Sequence, residues 1–523
     1  MTFGLVQVIA FVVFVQAGRR SWFAYDDWDF LANRTAGDLH GLHVPHGDHW
    51  SALPILTYRA LWQVFGLRFG PYLVVAVVLH LTSAALLRVV MRRANVDPWI
   101  ATAAASLYAL FGAGYENTTK LFALGFAGWP IVLGLSQLIL ADHDGPWNRR
   151  DWLGLAAGFG AIASSGVGVP MVVAVGVATF LRRGARTAAA HTLPLAAIFV
   201  AWHVSYADSA PGSPLTDIVR FVQTGLRGIF VDLGQSVPVA IVLVVVLVVG
   251  FVFALQPLAP AERRAQASLP LGMLLAAVAF FLVTGHGRAS FASDTEFGDI
   301  ARLSHYVDVA AVLVLPSVAV GATAISRRLP ALLPLMVLLF VIGIPGNLAA
   351  LDAGVGGAQQ ASVQASEQLM LSLPRSPQAT EAPPGLVPEP LFASPVTMRW
   401  LLSGLEAGKL PAPPVEPSPE LRGEIELRLS LRQTNRLTDI APCIRPTGPV
   451  VRTLDEGEHL SLGAYGYASI ALLRDEGFTD PITFGQSFGR EVEVRFGETL
   501  TALRGPLTLR ITPIPGRDIW LCG

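Results

Sequence analysis

Acidic and aromatic residues alternate in the segment that follows the first apolar run of the chain. It reads Trp22-Phe-Ala-Tyr-Asp-Asp-Trp-Asp-Phe, so Asp26, Asp27 and Asp29 lie close together. Neighbouring carboxylates repel each other unless a cation or hydrogen-bond donors compensate them. The cluster therefore predicts a site that engages such partners. The alternative is the solvated start of a loop within a belt of interfacial aromatic residues.

Histidines recur at every third position a little further along, with an acid inside the repeat: His40, His43, His46, His49 and Asp48. Imidazole and carboxylate groups can bind divalent metals. However, Pro45 and Gly47 interrupt any helix, and the spacing lacks the close pair and distant pair of a zinc site. Hydrogen bonding to sugar hydroxyls or phosphate is the favoured interpretation of this motif.

Cationic residues gather in a third segment, which reads Gly285-His-Gly-Arg and continues to Arg302-Leu-Ser-His-Tyr. Arginine binds phosphate oxygens in a bidentate manner, so Arg288 and Arg302, with His305, predict a clamp for a phosphate at the level of lipid headgroups. Glu116 stands in another short polar loop. The alternative is that the arginines pair with nearby acids, which are Asp294, Glu296 and Asp299.

Long apolar helices must position these loops. Of 523 residues, 52% are hydrophobic and only 14% are charged, and 40 of the 75 charged residues fall within the first 350. A net charge of −1 excludes nucleic-acid binding through a basic surface. We predict about eleven transmembrane helices: 3–18, 68–90, 98–113, 121–140, 152–164, 167–181, 188–206, 237–255, 268–285, 306–325 and 330–349.

Arginine pairs predict the orientation of these helices. With a cytoplasmic N-terminus, five successive inner loops each carry one pair: Arg92-Arg93, Arg149-Arg150, Arg182-Arg183, Arg263-Arg264 and Arg327-Arg328. Arg19-Arg20 is the exception. A signal peptide is the alternative for 3–18, but a basic start and a small-residue cleavage site are lacking, which favours an anchor helix. We expect a multi-pass plasma-membrane protein whose acids, histidines, Arg288 and Arg302 face the outside.

The C-terminal part differs in composition, with about 20% charged residues. We predict a transmembrane domain at 1–350, a Pro/Ala-rich connector at 351–420 with a short helix near Pro395–Leu405, and an extracytoplasmic β-sandwich at 421–523. Its expected strands are the alternating stretches 424–431, 491–496 and 507–512. Cys443 and Cys522, the two cysteines of the chain, predict a disulfide; two unrelated buried thiols are the alternative.

These features together resemble the GT-C superfamily of integral-membrane glycosyltransferases over roughly residues 1–350. The resemblance rests on the order of five motifs: Asp26-Asp27, Pro45-His-Gly-Asp-His-Trp, Gly114-Tyr-Glu-Asn, Ser164-Ser-Gly-Val-Gly and Gly287-Arg…Arg302-Leu-Ser-His-Tyr. The fold class it implies is a mainly α, polytopic membrane helix bundle. It is similar to bacterial envelope enzymes with an Arg-Tyr-like motif at the last position, where Leu303-Ser-His here precedes Tyr306.

The resemblance also implies a mechanism. A sugar would move, with inversion, from a polyprenyl-phosphate donor to a glycan or glycolipid acceptor on the extracytoplasmic face. Asp26 would be the base, with Asp27 as the next candidate. The remaining roles fall into three groups: donor phosphate (Arg288, Arg302, His305, Tyr306), acceptor (Glu116, His46, Asp48, His49, Trp50) and, if a divalent cation is used, metal (Asp27, Glu116, His49).

Three other functions compete with this interpretation. A transporter of lipid-linked or soluble solutes would carry ionisable residues near its helix midpoints, whereas here they gather at helix ends. A non-catalytic envelope assembly protein could display the β-domain, although one helix would be enough to anchor it. A ligase or polymerase that uses a lipid-linked oligosaccharide would differ only in its donor.

Overall fold

The computed structural model describes residues 2–34, 40–207, 212–256, 260–290, 300–390, 393, 395–434, 443–462, 468–475, 477–484, 498–514 and 519–522. The helices within these ranges are α1 (Thr2–Gly18), α2 (Asp26–Trp28), α3 (Ala52–Phe65), α4 (Phe69–Arg93), α5 (Pro98–Ala109), α6 (Tyr115–Thr119), α7 (Phe122–Gly125), α8 (Gly128–Ala141), α9 (Arg149–Ile162), α10 (Gly168–Arg183), α11 (Ala185–Tyr206), α12 (Leu215–Gly234), α13 (Val237–Leu255), α14 (Pro260–Arg288), α15 (Ser304–Arg328), α16 (Leu333–Val341), α17 (Ile344–Val355), α18 (Gly357–Ser372), α19 (Met398–Glu406) and α20 (Pro419–Ser430).

Every predicted apolar run falls on a helix. Six helical stretches in the described residues are long and apolar enough to cross a membrane: Phe69–Arg93, Ala185–Tyr206, Val237–Leu255, Arg264–Arg288, Ser304–Arg328 and Pro330–Val355. The runs at 121–140 and 330–349 are each divided between two helices, and the helices of the five runs that lie outside these six stretches have fewer than 18 residues. The chain is therefore a multi-pass membrane protein. Which ends of its helices face the cytoplasm stays a prediction.

Helix α15 lies at the centre of the helical part. Its apolar window is 94% buried, whereas that of α13 is 28% buried. It packs against α4, α5, α13 and α14. A Cβ atom at Gly250 of α13 would lie 2.3 Å from the carbonyl oxygen of Gly321, so only small residues allow these two helices to approach so closely.

Two long helices, α3 and α12, lie before residue 350 where the sequence indicated only outer loops. Helix α12 is amphipathic, since Ile218, Phe221 and Ile229 are buried while Arg220 and Arg227 are exposed. Its charges lowered its hydropathy below that of a membrane span, which is why it escaped prediction. Helix α3 lies in the first predicted outer loop, and Trp129 of α8 donates a hydrogen bond from Nε1 to Thr57 at 3.0 Å.

Arginine pairs from separate predicted inner loops come together at one end of the helices. Arg182 binds Asp142 at 2.6 Å and Asp144 at 3.0 Å, and Arg93 from the end of α4 lies 3.6 Å from Asp142. The fully buried Asp151 accepts hydrogen bonds from three cationic or imidazole groups and one backbone amide: Arg183, His143, His191 and Asn148 N. We name these arginines, aspartates and histidines together the Asp151 cluster.

The exceptional pair Arg19-Arg20 also has partners. The Arg20 guanidinium lies 2.6 Å from the Asp352 carboxylate of α17, and Arg19 donates to Gln16 at 3.0 Å. The ion pair with Asp352 neutralises the Arg20 charge. This contact gives a local reason for an arginine at this end of α1.

The chain divides into two compact units. The first comprises Met1–Trp22, Ala36–Ala60 and Phe69–Gln360, and the second comprises Phe23–Thr35, Leu61–Arg68 and Ala361–Gly523. The second unit thus includes the Asp26-Asp27 segment as well as the C-terminal region. The boundaries predicted between the transmembrane domain and the connector, at 350, and between the connector and the β-domain, at 420, remain predictions.

The C-terminal region holds β1 (Leu431–Thr434), β2 (Cys443–Ile444), β3 (Val450–Leu454), β4 (His459–Leu462), β5 (Ala468–Arg474), β6 (Gly477–Phe478), β7 (Ile482–Phe484), β8 (Glu498–Ala502), β9 (Leu507–Pro513) and β10 (Leu521–Cys522). One sheet has the order β1-β8-β4-β10-β2, and the other has β3-β9-β5-β6 with β7 beside β5. Leucines and isoleucines from both sheets share one buried core. The predicted β-sandwich is confirmed.

The predicted strand at 424–431 is wrong over most of its length, because residues 419–430 form helix α20. Ser418 caps this helix by accepting a hydrogen bond from the Leu421 amide, and Pro419 occupies its first turn. Glu424 and Arg428 form an ion pair across one helical turn at 2.9 Å. These local signals outweigh the alternating pattern. The strand predicted at 507–512 is confirmed as β9, and the one at 491–496 lies outside the described residues.

The predicted disulfide between Cys443 and Cys522 is present. The two residues face each other in the antiparallel register of β2 and β10. The bond therefore ties the last strand to the edge of its sheet. The predicted short helix in the connector is also present, as α19.

Candidate functional site

A cavity of about 460 Å³ opens in the first unit and brings together residues from separate sequence motifs. Four of the predicted site residues line it: Asp48, His49, Arg288 and Tyr306. A second part of the wall is apolar and comes from α10, α11 and α14, through Val169, Pro170, Phe199, Phe280 and Val283. The cavity is thus amphiphilic, with polar and charged groups on one part of its wall and hydrocarbon on another.

The motif Pro45-His-Gly-Asp-His forms a tight hairpin at this cavity. His46 and His49 exchange backbone hydrogen bonds of 3.0 and 3.1 Å, and Gly47 adopts φ +55° at the first central position of the turn. Glycine suits that position because it has no Cβ atom. The Gly166 amide donates to His49 Nδ1 at 3.2 Å. In the neutral imidazole, the proton then resides on Nε2, which makes that nitrogen a hydrogen-bond donor.

Arg288 is exposed at the C-terminal end of α14 and lines the cavity. A Cβ atom at the neighbouring Gly287 would lie 3.9 Å from Asp48 Oδ2, so the backbone of α14 passes close to that carboxylate. Arg302, by contrast, donates from Nη2 to Asp232 Oδ1 at 2.7 Å. Of the two predicted phosphate-binding arginines, Arg288 is therefore a cavity residue and Arg302 is an ion-pair partner of α12.

Glu116 and His305 form a second polar group near the start of α15. His305 Nδ1 lies 2.7 Å from Glu116 Oε2, and Lys120 Nζ lies 3.0 Å from Glu116 Oε1. Burial alone raises the pKa of Glu116, but hydrogen bonds and Coulombic attraction from His305 and Lys120 outweigh it and lower the pKa to about 2. Glu116 is therefore a carboxylate at neutral pH and a weak base.

Aromatic rings connect this pair with the cavity. His305 stacks on Phe122 with 4.8 Å between ring centroids, and Phe126 contacts His305 edge-on at 5.5 Å. Phe126 also contacts His49 edge-on at 5.5 Å and lines the cavity. The Glu116–His305 pair therefore contacts the cavity wall through the ring of Phe126.

Buried hydrogen bonds fix helix α6, which carries Glu116, against the start of α15. The Glu116 amide donates to Ser304 Oγ at 3.1 Å, and Asn117 Nδ2 donates to the His305 carbonyl at 3.3 Å and to Asp308 Oδ2 at 2.7 Å. Tyr108 also donates to Asp308 Oδ2, at 3.3 Å. These contacts hold Glu116 and His305 in one geometry before any ligand binds.

The Asp26-Asp27 segment belongs to the second unit. Asp27 is buried, and its Oδ2 accepts a hydrogen bond from the Ala24 amide at 2.9 Å, which closes the turn before α2. Asp26 is exposed. Asp29 is held by Arg34 at 2.9 Å and by Asn33 at 2.8 Å. Asp26 is therefore the acid of the three whose side chain meets solvent most openly.

Trp50 has a structural environment. It is 7% exposed, stacks on Trp202 with 5.5 Å between centroids, and donates from Nε1 to the Leu42 carbonyl at 3.1 Å. Trp202 in turn donates to the His43 carbonyl at 2.8 Å. The two indoles anchor the loop that leads to the His46–His49 hairpin.

Two histidines that the sequence reasoning did not assign also line the cavity. His203 lies in the last turn of α11 and His286 lies near the end of α14. A Cβ atom at Gly212 would lie 2.0 Å from His286 Cε1, so only glycine fits beside this imidazole. Histidine in the last turn of an apolar helix was the signal that could have identified both. Among the described residues, no group of three or more His, Cys, Asp or Glu side chains could hold a metal ion.

The chain is similar to a solved structure, the crystal structure of ArnT from Cupriavidus metallidurans in the apo state. The TM-score is 0.43 and the sequence identity 12%, over 73% of this chain and 80% of that chain. No family model matches the sequence, and neither does any curated protein.

Proposed function

We propose that the chain is a membrane glycosyltransferase of the GT-C type, which transfers a sugar from a polyprenyl-phosphate donor to an envelope glycan or glycolipid on the extracytoplasmic face. The amphiphilic cavity is the observation that carries the proposal. A polyprenyl phosphate needs hydrocarbon contact for its chain and cationic donors for its phosphate. The cavity offers both, because Phe280 and Val283 supply the hydrocarbon contact and Arg288 supplies the cation.

The residues around the cavity support a division of roles. Arg288 holds the phosphate of the donor and stabilises the charge that grows on it as the sugar leaves. His49 and His286 donate further hydrogen bonds to phosphate or sugar oxygens, and Asp48 accepts hydrogen bonds from sugar hydroxyls. Glu116 and His305 act as a hydrogen-bonded pair that orients the ring of Phe126 and the adjacent Tyr306.

The transfer step follows from this chemistry. The acceptor hydroxyl oxygen forms a bond with the anomeric carbon while the bond between that carbon and the phosphate oxygen breaks. The electron pair leaves with the polyprenyl phosphate, and the hydroxyl proton goes to a carboxylate. Asp26 is the proposed base, on the sequence argument and on its exposure. Glu116 is a poor alternative because its pKa of about 2 makes it a weak proton acceptor.

Replacing Asp26 with Asn tests the base. Transfer by purified protein in proteoliposomes, followed as release of polyprenyl phosphate from a panel of polyprenyl-phosphate pentoses and hexoses, should fall about 10²–10⁴-fold. Asp29→Asn is the matched control, because it makes the same change three residues away on a side chain held by Arg34. Unchanged transfer by Asp26→Asn would contradict Asp26 as the base. If Asp48→Asn then lost transfer, Asp48 in the cavity would be the base instead.

Binding of undecaprenyl phosphate tests the function independently of the sugar. The wild-type protein should bind it, because the phosphate and the prenyl chain are common to all the proposed donors. Lack of binding, together with flux of a solute into proteoliposomes that contain no lipid-linked sugar, would favour the transporter alternative and contradict the proposal.

A further inference from the structure

A second cavity, of about 190 Å³, opens at the opposite ends of α14 and α15, two helices that also line the first cavity. Its lining comes from the turn after α4, the end of α13, the first half of α14 and the last turns of α15. The polar lining residues are Asn95, Gln266, Thr323, Arg327 and Arg328. Phe253, Ala254 and Val320 supply an apolar wall. The volume is several times the roughly 30 Å³ that one water molecule occupies in the liquid.

The two arginines of this cavity are held by neutral partners. Arg327 Nη2 donates to the Asn95 carbonyl at 2.7 Å. Arg328 Nη2 donates to the Phe253 carbonyl at 3.2 Å and to Gln256 Oε1 at 3.4 Å, and its guanidinium carbon lies 4.1 Å from the centre of the Phe253 ring. These contacts orient both guanidinium groups without cancelling their charge.

No carboxylate in the described part of the chain forms an ion pair with either arginine. Asp97, which follows Asn95 closely in sequence, uses its Oδ1 to accept the amides of Trp99 and Ile100 at the start of α5. In the Asp151 cluster, by contrast, Arg182 and Arg183 each contact an aspartate. The second cavity therefore carries two uncompensated positive charges with N–H donors to spare, since each guanidinium has five.

Helix geometry places the second cavity at the level of a lipid headgroup. Tyr306 lines the first cavity and Arg327 lines the second, and 21 helical residues of α15 separate them, which corresponds to about 30 Å. That distance equals the hydrocarbon thickness of a bilayer. If one cavity meets the headgroups of one leaflet, the other meets those of the opposite leaflet.

We propose that the second cavity binds the phosphate of an anionic membrane lipid in the leaflet opposite the first cavity. Arg327 and Arg328 bind the phosphate oxygens, and the acyl chains leave along the apolar wall beside Phe253. The apolar wall and the position at the helix ends favour a lipid over a free phosphate ion. This site is independent of the proposed transferase activity and does not require it.

Lipid titration of the full-length protein in detergent tests the proposal. Three probes are compared by native mass spectrometry and by thermal unfolding: dioctanoyl phosphatidylglycerol, dioctanoyl phosphatidylcholine and inorganic phosphate. We expect the anionic lipid to bind most tightly. Charge neutralisation should weaken its apparent affinity about fivefold for Arg327→Gln or Arg328→Gln alone and about thirtyfold for both.

Arg149→Gln is the matched control, because Arg149 is exposed, begins α9 and lies outside the cavity lining. Equal binding of the two lipids by the wild-type protein, or an equal loss in Arg149→Gln, would overturn the site. Stabilisation by inorganic phosphate as strong as by the anionic lipid would overturn the lipid as its ligand. If a variant fails to fold, equal binding of the two lipids by the wild-type protein still overturns the site without any variant.

Discussion

The Asp151 cluster and the first cavity treat their charges in opposite ways. The Asp151 cluster matches its arginines with buried or half-buried aspartates within 4 Å. In the first cavity, Arg288 is part of the lining and no described carboxylate forms an ion pair with it. Charges that are neutralised within the protein stabilise the fold, whereas a cation left facing a cavity is available to a ligand.

Asp151→Asn should give the largest effect on stability. The substitution leaves Arg183, His143 and His191 without the carboxylate that they share, so we expect a loss of about 3–5 kcal/mol. Thermal unfolding in detergent, followed by tryptophan fluorescence, measures it. Asp144→Asn is the control, because the Asp144 side chain is 83% exposed and its ion pair with Arg182 should contribute at most about 1 kcal/mol. Equal losses in both variants would show that burial does not distinguish them.

Arg288→Gln should have the next largest effect, on binding rather than on stability. Loss of charge-assisted hydrogen bonds, worth about 1.5–3 kcal/mol, corresponds to binding of undecaprenyl phosphate weakened about 10- to 150-fold. Arg302→Gln should weaken binding less, since its guanidinium already binds Asp232. Arg220→Gln, on the exposed face of α12, serves as a control for surface charge. A larger loss for Arg302 than for Arg288 would reverse their assigned roles.

Glu116→Gln should give the smallest of the three effects, about 1–3 kcal/mol of stability at pH 7. The folded protein holds the pKa of Glu116 near 2, below its ordinary value of 4.5. The stabilisation is therefore complete above about pH 4.5 and lost as the pH falls towards 2. Unfolding temperatures at pH 7, 5 and 3 should show the gap between wild type and variant narrowing only at the lowest pH.

Glu406→Gln is the control for this comparison, since Glu406 is exposed at the end of α19. Its unfolding temperature should follow that of the wild type at every pH. A gap for Glu116→Gln that is already absent at pH 5 would contradict the depressed pKa of Glu116.

Hydropathy predicted the long helices well because hydrocarbon contact demands a continuous apolar run, and every predicted run falls on a helix. Amphipathic α12 escaped for the same reason, since its exposed arginines interrupt that run. Helix α20 was mistaken for a strand because alternation over eight residues can satisfy either structure when the capping residues Ser418 and Pro419 are overlooked.

Residue type predicted four of the residues that line the first cavity. Asp48, His49, Arg288 and Tyr306 line one cavity, although 240 residues separate Asp48 from Arg288 in the sequence. The pairing of Arg302 with Asp232 could not be predicted, because it depends on α12 folding beside the start of α15. His203 and His286 were missed because the sequence argument gave no weight to a histidine in the last turn of an apolar helix, and only the fold brings both to one cavity.

The burial of α15 has a consequence for the bilayer. This helix is enclosed by its neighbours along almost its whole length, so it cannot tilt or stretch independently to adapt to the lipid around it. The 21 residues of α15 from Tyr306 to Arg327 therefore hold the two cavities at a fixed distance of about 30 Å. A thinner or thicker bilayer must adapt to the protein, and hydrophobic mismatch would draw one cavity away from its headgroup layer. The acyl-chain length of the surrounding lipids should therefore affect the rate of the proposed sugar transfer.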